Sequence, residues 1–165
     1  MSLELKNFQK KAVNKLIKFT KELLDSPLED GDRIITLKAP TGSGKTLIAA
    51  EYIKQLSDIE SELEVTFIWL SVGRGELQYQ SKQKMDYHFD SNLKVTLLEN
   101  YSDDFLHPNS VVVVNFEKLF QLNKNTGEWT NRLMRDGDYP NFPELLTKTK
   151  QKGIKNILIL DESHL

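Results

Sequence analysis

The feature that most constrains the fold of this chain is a glycine-rich turn between two apolar segments. Residues 34–37 have the composition of a short buried strand, and residues 47–53 have that of a helix. Between them, residues 39–46 read Ala-Pro-Thr-Gly-Ser-Gly-Lys-Thr. A strand, a glycine-rich loop that ends in Lys-Thr and a helix, in this order, predict a phosphate-binding loop.

The residue types in this loop match the chemistry of a triphosphate. Gly42 and Gly44 permit backbone conformations that a side chain would hinder, so the amide groups around them, with those of Thr41 and Ser43, are predicted to face an anion at a helix N-terminus. Lys45 adds a mobile positive charge that should reach the β- and γ-phosphates. We therefore expect these residues to bind ATP.

A second segment supplies the acids that ATP hydrolysis needs. Residues 157–160 are an apolar run that predicts a buried parallel strand, and Asp161 and Glu162 follow it directly. Mg²⁺ prefers oxygen ligands, which the Thr46 hydroxyl and the Asp161 carboxylate would provide, while Glu162 would orient or deprotonate the attacking water. An acidic pair after a strand is also typical of a solvated loop, and its combination with the upstream loop favours the catalytic interpretation.

Composition limits the class of protein. The chain has 165 residues, the length of about one domain, and its net charge of −2 requires any nucleic-acid contact to be a local patch. It has no cysteine, which excludes a disulfide framework and a thiolate metal site. No apolar stretch has the roughly 20 residues of a membrane span, and the first residues show no signal-peptide pattern, so we expect a cytoplasmic protein with no membrane partner.

Apolar periodicity along the chain predicts alternating strands and helices. Helical spacing of apolar residues, including Phe8, predicts an opening amphipathic helix over residues 8–24. Further strands are predicted at residues 65–70, 95–98 and 111–114, and a further helix at residues 76–89. The pattern predicts one α/β domain over residues 1–165 with a mostly parallel sheet, helices on both faces and the ligand at the carboxyl edge of the strands. Residues 121–143 are polar and turn-rich, which favours a surface excursion.

The combined motifs resemble the first RecA-like domain of superfamily-two helicases and translocases, a three-layer P-loop NTPase fold. Residues 161–164, Asp-Glu-Ser-His, occupy the DExH position. The chain is most similar to the ATPase part of type III restriction enzyme Res subunits, on residues 115–119 (Asn-Phe-Glu-Lys-Leu), 131–142 and 160–164. This resemblance covers nearly the whole sequence.

The resemblance also implies roles that spacing alone does not give. Gln9 matches an adenine-reading glutamine upstream of the phosphate loop, because a carboxamide offers an acceptor and a donor together. A solvated polar position on the helix is the alternative for Gln9. His164 matches a histidine that couples the nucleotide site to a partner domain, and an ordinary surface histidine is its alternative.

In the proteins that this chain resembles, loops after the second and fourth strands contact nucleic acid. The matching residues here are Ser71, Gly73, Arg74, Asn115 and Lys118. Hydroxyl, amide, backbone and basic groups of this kind suit contacts with phosphate and sugar. Arg74 is the strongest candidate among them, although an arginine beside two glycines is also typical of an exposed loop.

The resemblance implies a nucleic-acid-dependent ATPase, with DNA favoured over RNA as its partner. It further implies a second RecA-like domain, in cis or in trans, and an association with a DNA-modification subunit. We expect weak ATP turnover by this chain alone, because phosphoryl-transfer enzymes often gain an arginine across an interface. A non-catalytic, nucleotide-gated interaction domain and a small-molecule P-loop kinase are the alternatives.

Overall fold

The computed structural model describes residues 4–26, 33–59, 64–71, 77–89, 93–119, 121–122, 125–127, 129–130 and 141–161. Two compact units divide the chain, Met1–Glu60 and Ser61–Leu165, and each is described by itself. The described helices are α1 (Asn7–Leu24), α2 (Lys45–Ile59), α3 (Leu77–Phe89), α4 (Phe116–Leu119) and α5 (Phe142–Gln151). The described strands are β1 (Val65–Ser71), β2 (Lys94–Leu97), β3 (Ser110–Asn115), β4 (Gln121–Leu122), β5 (Trp129–Thr130) and β6 (Lys155–Asp161). None of these helices is long and apolar enough to cross a bilayer.

The first unit is built on the packing of α1 against α2. Val13, Ile17 and Thr20 recur at helical spacing on α1 and are buried, which confirms the predicted amphipathic helix. The Thr20 hydroxyl lies 2.8 Å from the Tyr52 hydroxyl of α2, and both side chains are buried. Burial raises the pKa of Tyr52 and the bond to Thr20 opposes this shift, so the phenol stays neutral and bridges the two helices.

Two expectations for the first unit are wrong. Residues 33–40 are described, but the predicted strand at residues 34–37 belongs to no strand ladder, and Ile34 is 77% exposed. An apolar run forms a strand only where a neighbouring strand pairs with its backbone, and no strand is described in this unit. Phe8 is half exposed although helical spacing placed it with the core residues, because its position falls outside the buried stripe of α1.

The second unit contains a four-stranded sheet in the order β2-β3-β1-β6, and all its strands are parallel. The predicted strands at residues 65–70, 95–98 and 111–114 are thereby confirmed, with bounds that differ by a residue or so. Ser71, the last residue of β1, is in register with Asn115 of β3 on one side and with Asp161 of β6 on the other. Three strands therefore end at the same level on one edge.

Helices cover both faces of this sheet. On one face, Ile68 of β1 and Val112 of β3 share a buried cluster with Leu145 of α5. On the opposite face, α3 lies over the strands and its Gln78 side chain contacts Asn115 of β3. Side chains alternate between the faces along each strand, so the near-continuous apolar sequence of β1 and β3 fills both layers.

The last strand is parallel, as predicted, but it is not fully buried. Leu158 and Leu160 are 50% and 55% exposed, although both lie in the apolar run. Among the described strands, β6 pairs with β1 alone. The amide of Asn156 reaches the Leu146 carbonyl of α5, whereas the two leucines further along the strand are left open.

Helix α5 was not predicted, because the sequence analysis ended the polar excursion at residue 143 and proposed no helix before the last strand. Asn141 caps this helix, with its side-chain oxygen accepting from the Glu144 amide at 3.1 Å. Phe142, Leu145 and Thr149 form its buried stripe. Within the excursion, β4 and β5 pair as a short antiparallel hairpin, and the rest lies largely outside the described residues.

The buried hydroxyl of Thr149 joins α5 to the segment before β3, which leads to a stability prediction. Its Oγ1 accepts from the Leu106 amide at 2.7 Å and donates to the Leu145 carbonyl at 2.6 Å. Thr149→Val keeps the shape but leaves the Leu106 amide unpaired, so it should lower the free energy of unfolding by about 1–3 kcal/mol in urea denaturation.

Thr147→Val is the matched control for this substitution. Thr147 is exposed on the same helix and bonds only the Pro143 carbonyl one turn back. Its loss should change the free energy of unfolding by less than about 0.5 kcal/mol. Equal effects of the two substitutions would contradict a specific role for the Thr149–Leu106 bond.

Candidate functional site

The glycine-rich loop adopts the left-handed backbone that the sequence requires. Gly42 and Gly44 have φ angles of 77° and 81°, a region that residues with a side chain rarely occupy. Between them, the Ser43 amide donates to the Pro40 carbonyl at 3.2 Å and closes a turn. The loop therefore folds back on itself directly before α2.

Helix α2 begins at Lys45, immediately after the second left-handed glycine. The Ile48 amide donates to the Gly44 carbonyl at 2.9 Å, which is the first bond of the helix, so the amides before it are not used within α2. The Lys45 ammonium donates to the Ala39 carbonyl at 3.4 Å and thus lies over the start of the loop. Thr46 is in the first turn. Amides, a dipole and a cation are gathered where a phosphate would bind.

Gln9 connects α1 to this loop. Its Oε1 accepts from the Lys6 amide at 2.8 Å, and its Nε2 donates to the Ser43 carbonyl at 3.0 Å. The side chain is buried, so the alternative of a solvated position on the helix is wrong. A Cβ built on Gly44 would lie 2.7 Å from the Gln9 Nε2, which shows how closely the carboxamide approaches the loop backbone.

The Ser43 hydroxyl provides an independent test of whether the loop fits a phosphate. Its Oγ is buried and has no hydrogen-bond partner among the described residues. A buried hydroxyl without a partner is unfavourable, and a phosphate oxygen is a strong acceptor for it. The donor set of the loop, from backbone amides, hydroxyl and ammonium, therefore fits a polyphosphate anion.

Two predicted nucleic-acid residues lie at the edge where the strands end, and their side chains point inward. Ser71 is 4% exposed, and its Oγ donates to the Val114 carbonyl at 3.3 Å. Asn115 is 7% exposed, and its Oδ1 accepts from the Glu117 amide at 2.9 Å. Both side chains hold the backbone of this edge together.

Gln78 is a residue of this edge that the sequence analysis did not single out. It is 3% exposed, and its Oε1 accepts from the Asn115 Nδ2 at 2.8 Å. A glutamine at the start of a helix carries no signal for such a bond, because its partner is 37 residues away in sequence. Only the parallel packing of α3 over β3 brings the two amides together.

Several predicted site residues lie outside the described residues or are described only by their backbone. Gly73, Arg74, Glu162 and His164 fall outside them, and their roles stay predictions. Lys118 lies in α4 and Asp161 ends β6, and for both only the backbone is described.

Gly44→Ala should destabilise the protein more than Gly42→Ala. Both substitutions strain a left-handed backbone by about 1–2 kcal/mol. An added Cβ at residue 42 has nothing within 4 Å, whereas one at residue 44 would displace the Gln9 side chain and break its bond to Ser43. We expect a further loss of about 0.5–1.5 kcal/mol in the free energy of unfolding, measured without nucleotide.

Removal of the Gln9 carboxamide provides the control for this comparison. In a Gln9→Ala background the two glycine substitutions should have equal costs, because the group that is displaced is gone. A difference of the same size in both backgrounds would show that Gln9 is not the cause.

The similarity of the chain to known families agrees with this geometry. The family model described as "Type III restriction enzyme, res subunit" matches residues 2–165. No curated protein and no solved structure gives a match to the chain. The family model covers nearly the whole sequence, and the parallel sheet with helices on both faces is consistent with the RecA-like fold of that family. The chain belongs to the type III restriction enzyme Res subunit family.

Proposed function

We propose that this chain is the ATP-binding first motor domain of a nucleic-acid-dependent ATPase of the helicase or translocase type. ATP would be hydrolysed to ADP and phosphate when a second RecA-like domain completes the motor. The observation that carries the proposal is the loop itself. Two left-handed glycines, an unpartnered Ser43 hydroxyl and the N-terminus of α2 are assembled at Lys45.

Each residue of the proposed nucleotide site has a distinct task. The amides of residues 41–44 and the Lys45 ammonium hold the phosphates, and Lys45 exchanges its contact with the Ala39 carbonyl for one with phosphate oxygens. Thr46 and Asp161 are the proposed magnesium ligands, and magnesium supplies charge neutralisation at the phosphate. Glu162 accepts the proton of the attacking water.

Gln9 is the proposed adenine reader, and its contacts add a condition to that role. Both ends of its carboxamide are already engaged, one with Lys6 and the other with Ser43. Reading an adenine edge requires Nε2 to leave the Ser43 carbonyl or to share its hydrogen atoms between two acceptors. Adenine recognition is thereby linked to the conformation of the phosphate loop.

The proposed nucleic-acid partner is DNA in preference to RNA, bound at the strand-end edge. Because the side chains of Ser71 and Asn115 are buried, the direct contacts are assigned to Gly73, Arg74 and Lys118. Contacts of this kind, through backbone and basic groups, hold a phosphate backbone without reading its sequence. His164 would relay the state of the nucleotide to the second domain, and a DNA-modification subunit is a further proposed partner.

Nucleotide titration of single-residue variants tests the proposal. Lys45→Ala removes a charge-assisted contact with the phosphates and should weaken ATP binding by about ten- to a hundredfold, measured by calorimetry with Mg²⁺. Glu162→Gln, which keeps the size of the side chain, should bind ATP with wild-type affinity and lose hydrolysis. Absence of any binding heat for the wild-type chain would reject the nucleotide site.

Turnover measurements separate the proposed motor from its alternatives. We expect slow hydrolysis by this chain with and without DNA, and vigorous DNA-stimulated hydrolysis by it would contradict the need for a second domain. A nucleotide-gated interaction domain predicts tight binding without hydrolysis even after a second RecA-like domain is added. A small-molecule kinase predicts phosphate transfer to an acceptor in place of water.

A further inference from the structure

The loop at residues 72–76 is held at both ends by the last two residues of β3. At its start, the Ser71 hydroxyl donates to the Val114 carbonyl, 43 residues away in sequence. At its end, the Gln78 carboxamide accepts from the Asn115 side chain, 37 residues away. The backbone register of β1 with β3 places Ser71 beside Asn115 as well. Both ends of the loop are therefore attached to the same point of the neighbouring strand.

The Gln78–Asn115 pair has only one consistent arrangement. Asn115 Oδ1 accepts from the Glu117 amide, which fixes the orientation of the carboxamide and directs its Nδ2 toward Gln78. The two side chains are 3% and 7% exposed, so water does not readily replace the bond. A buried amide donor without its acceptor is costly, and this cost keeps the start of α3 attached to β3.

We infer that Gln78 is a positioning residue that holds the loop at residues 72–76 and the segment at residues 115–119 in one fixed arrangement for nucleic-acid binding. The inference rests on the proposed function, which assigns nucleic-acid contacts to both segments. Gln78 itself is too buried to touch the ligand. It acts by attaching the exit of the first segment to the entry of the second, so that Arg74 and Lys118 meet one phosphate backbone together.

The surroundings of Gln78 allow a clean substitution. It lines a shallow cleft with Leu97 and Val113, so an apolar side chain of equal length has apolar neighbours. Gln78→Met keeps the length and removes the acceptor. The neighbouring Tyr79 is 45% exposed, and its hydroxyl donates to the Glu99 carboxylate at 2.6 Å. Tyr79→Phe is therefore a matched control that removes a bond from the same turn of α3 but leaves the buried pair intact.

The salt dependence of binding distinguishes positioning from simple loss of stability. The slope of the logarithm of affinity against the logarithm of salt concentration counts phosphate contacts, at about 0.9 per contact for duplex DNA and about 0.7 for a single strand. Gln78 and methionine are both uncharged, so the slope changes only if a basic side chain of one segment leaves the nucleic acid. A variant that is merely less stable retains the wild-type slope for its folded fraction.

The experiment titrates a fluorescent oligodeoxynucleotide, as single strand and as duplex, into the whole chain over a series of salt concentrations. Arg74→Ala should reduce the slope by one contact. Gln78→Met should reduce it by about the same amount and weaken binding at low salt on the order of tenfold, which is about 1.4 kcal/mol. The double variant should match Arg74→Ala alone, and Tyr79→Phe should match the wild type. If Gln78→Met does not fold, Gln78→Leu takes its place.

The outcomes separate this inference from the proposed function. If the wild type binds, Arg74→Ala lowers the slope and Gln78→Met does not, the positioning role is overturned and the proposed function stands. A double variant that loses a further contact beyond Arg74→Ala also overturns it, since Gln78 would then not act through that loop. Absence of binding by the wild type overturns both, and ATP titration of each folded variant reports separately on the phosphate loop.

Discussion

The parallel ladder of β1 with its two neighbours is the constraint on which the second unit depends. Hydrogen bonding in a parallel pair fixes which residues stand side by side, so Ser71 cannot be placed without also placing Asn115 and Asp161. Parallel strands also need helical crossovers, which brings α3 and α5 onto the sheet. Every predicted nucleic-acid and magnesium residue of this unit lies at or just beyond the carboxyl end of one of these strands. The edge is thus a consequence of register.

In the first unit the corresponding constraint is the backbone of the glycine-rich loop. Left-handed conformations at Gly42 and Gly44 direct the chain into α2 and leave the amides before the helix without intrahelical partners. The helix α1 is then tied to the loop through the Gln9 carboxamide and to α2 through the bond between Thr20 and Tyr52. A helix that the sequence marks only as amphipathic thereby becomes part of the proposed nucleotide site.

Buried polar pairs recur wherever a segment without regular structure meets a helix or a strand. Thr149 holds the segment before β3, and Gln78 holds the end of the loop after β1. Apolar contacts stabilise the core but tolerate small displacements, whereas a buried hydrogen bond requires defined distances and directions. Such pairs are therefore suited to fixing the positions of loops that carry function. Their exposed counterparts, such as the bond of Thr147 to its own helix, lack that effect.

The sequence by itself determined the α/β class, the parallel strands, the phosphate loop and the family, because apolar periodicity and glycine spacing are local signals. It also contained a signal for α5 that was missed: Asn141 with Glu144 three residues later, followed by the spacing of Phe142, Leu145 and Thr149. Tertiary structure alone decided that Ser71 and Asn115 face inward, that Leu158 is open to solvent, and that Gln9 and Gln78 are buried amides with distant partners. The physical reason is that burial and hydrogen-bond partners depend on which segments pack together, and residues tens of positions apart leave no trace of that meeting in a single sequence.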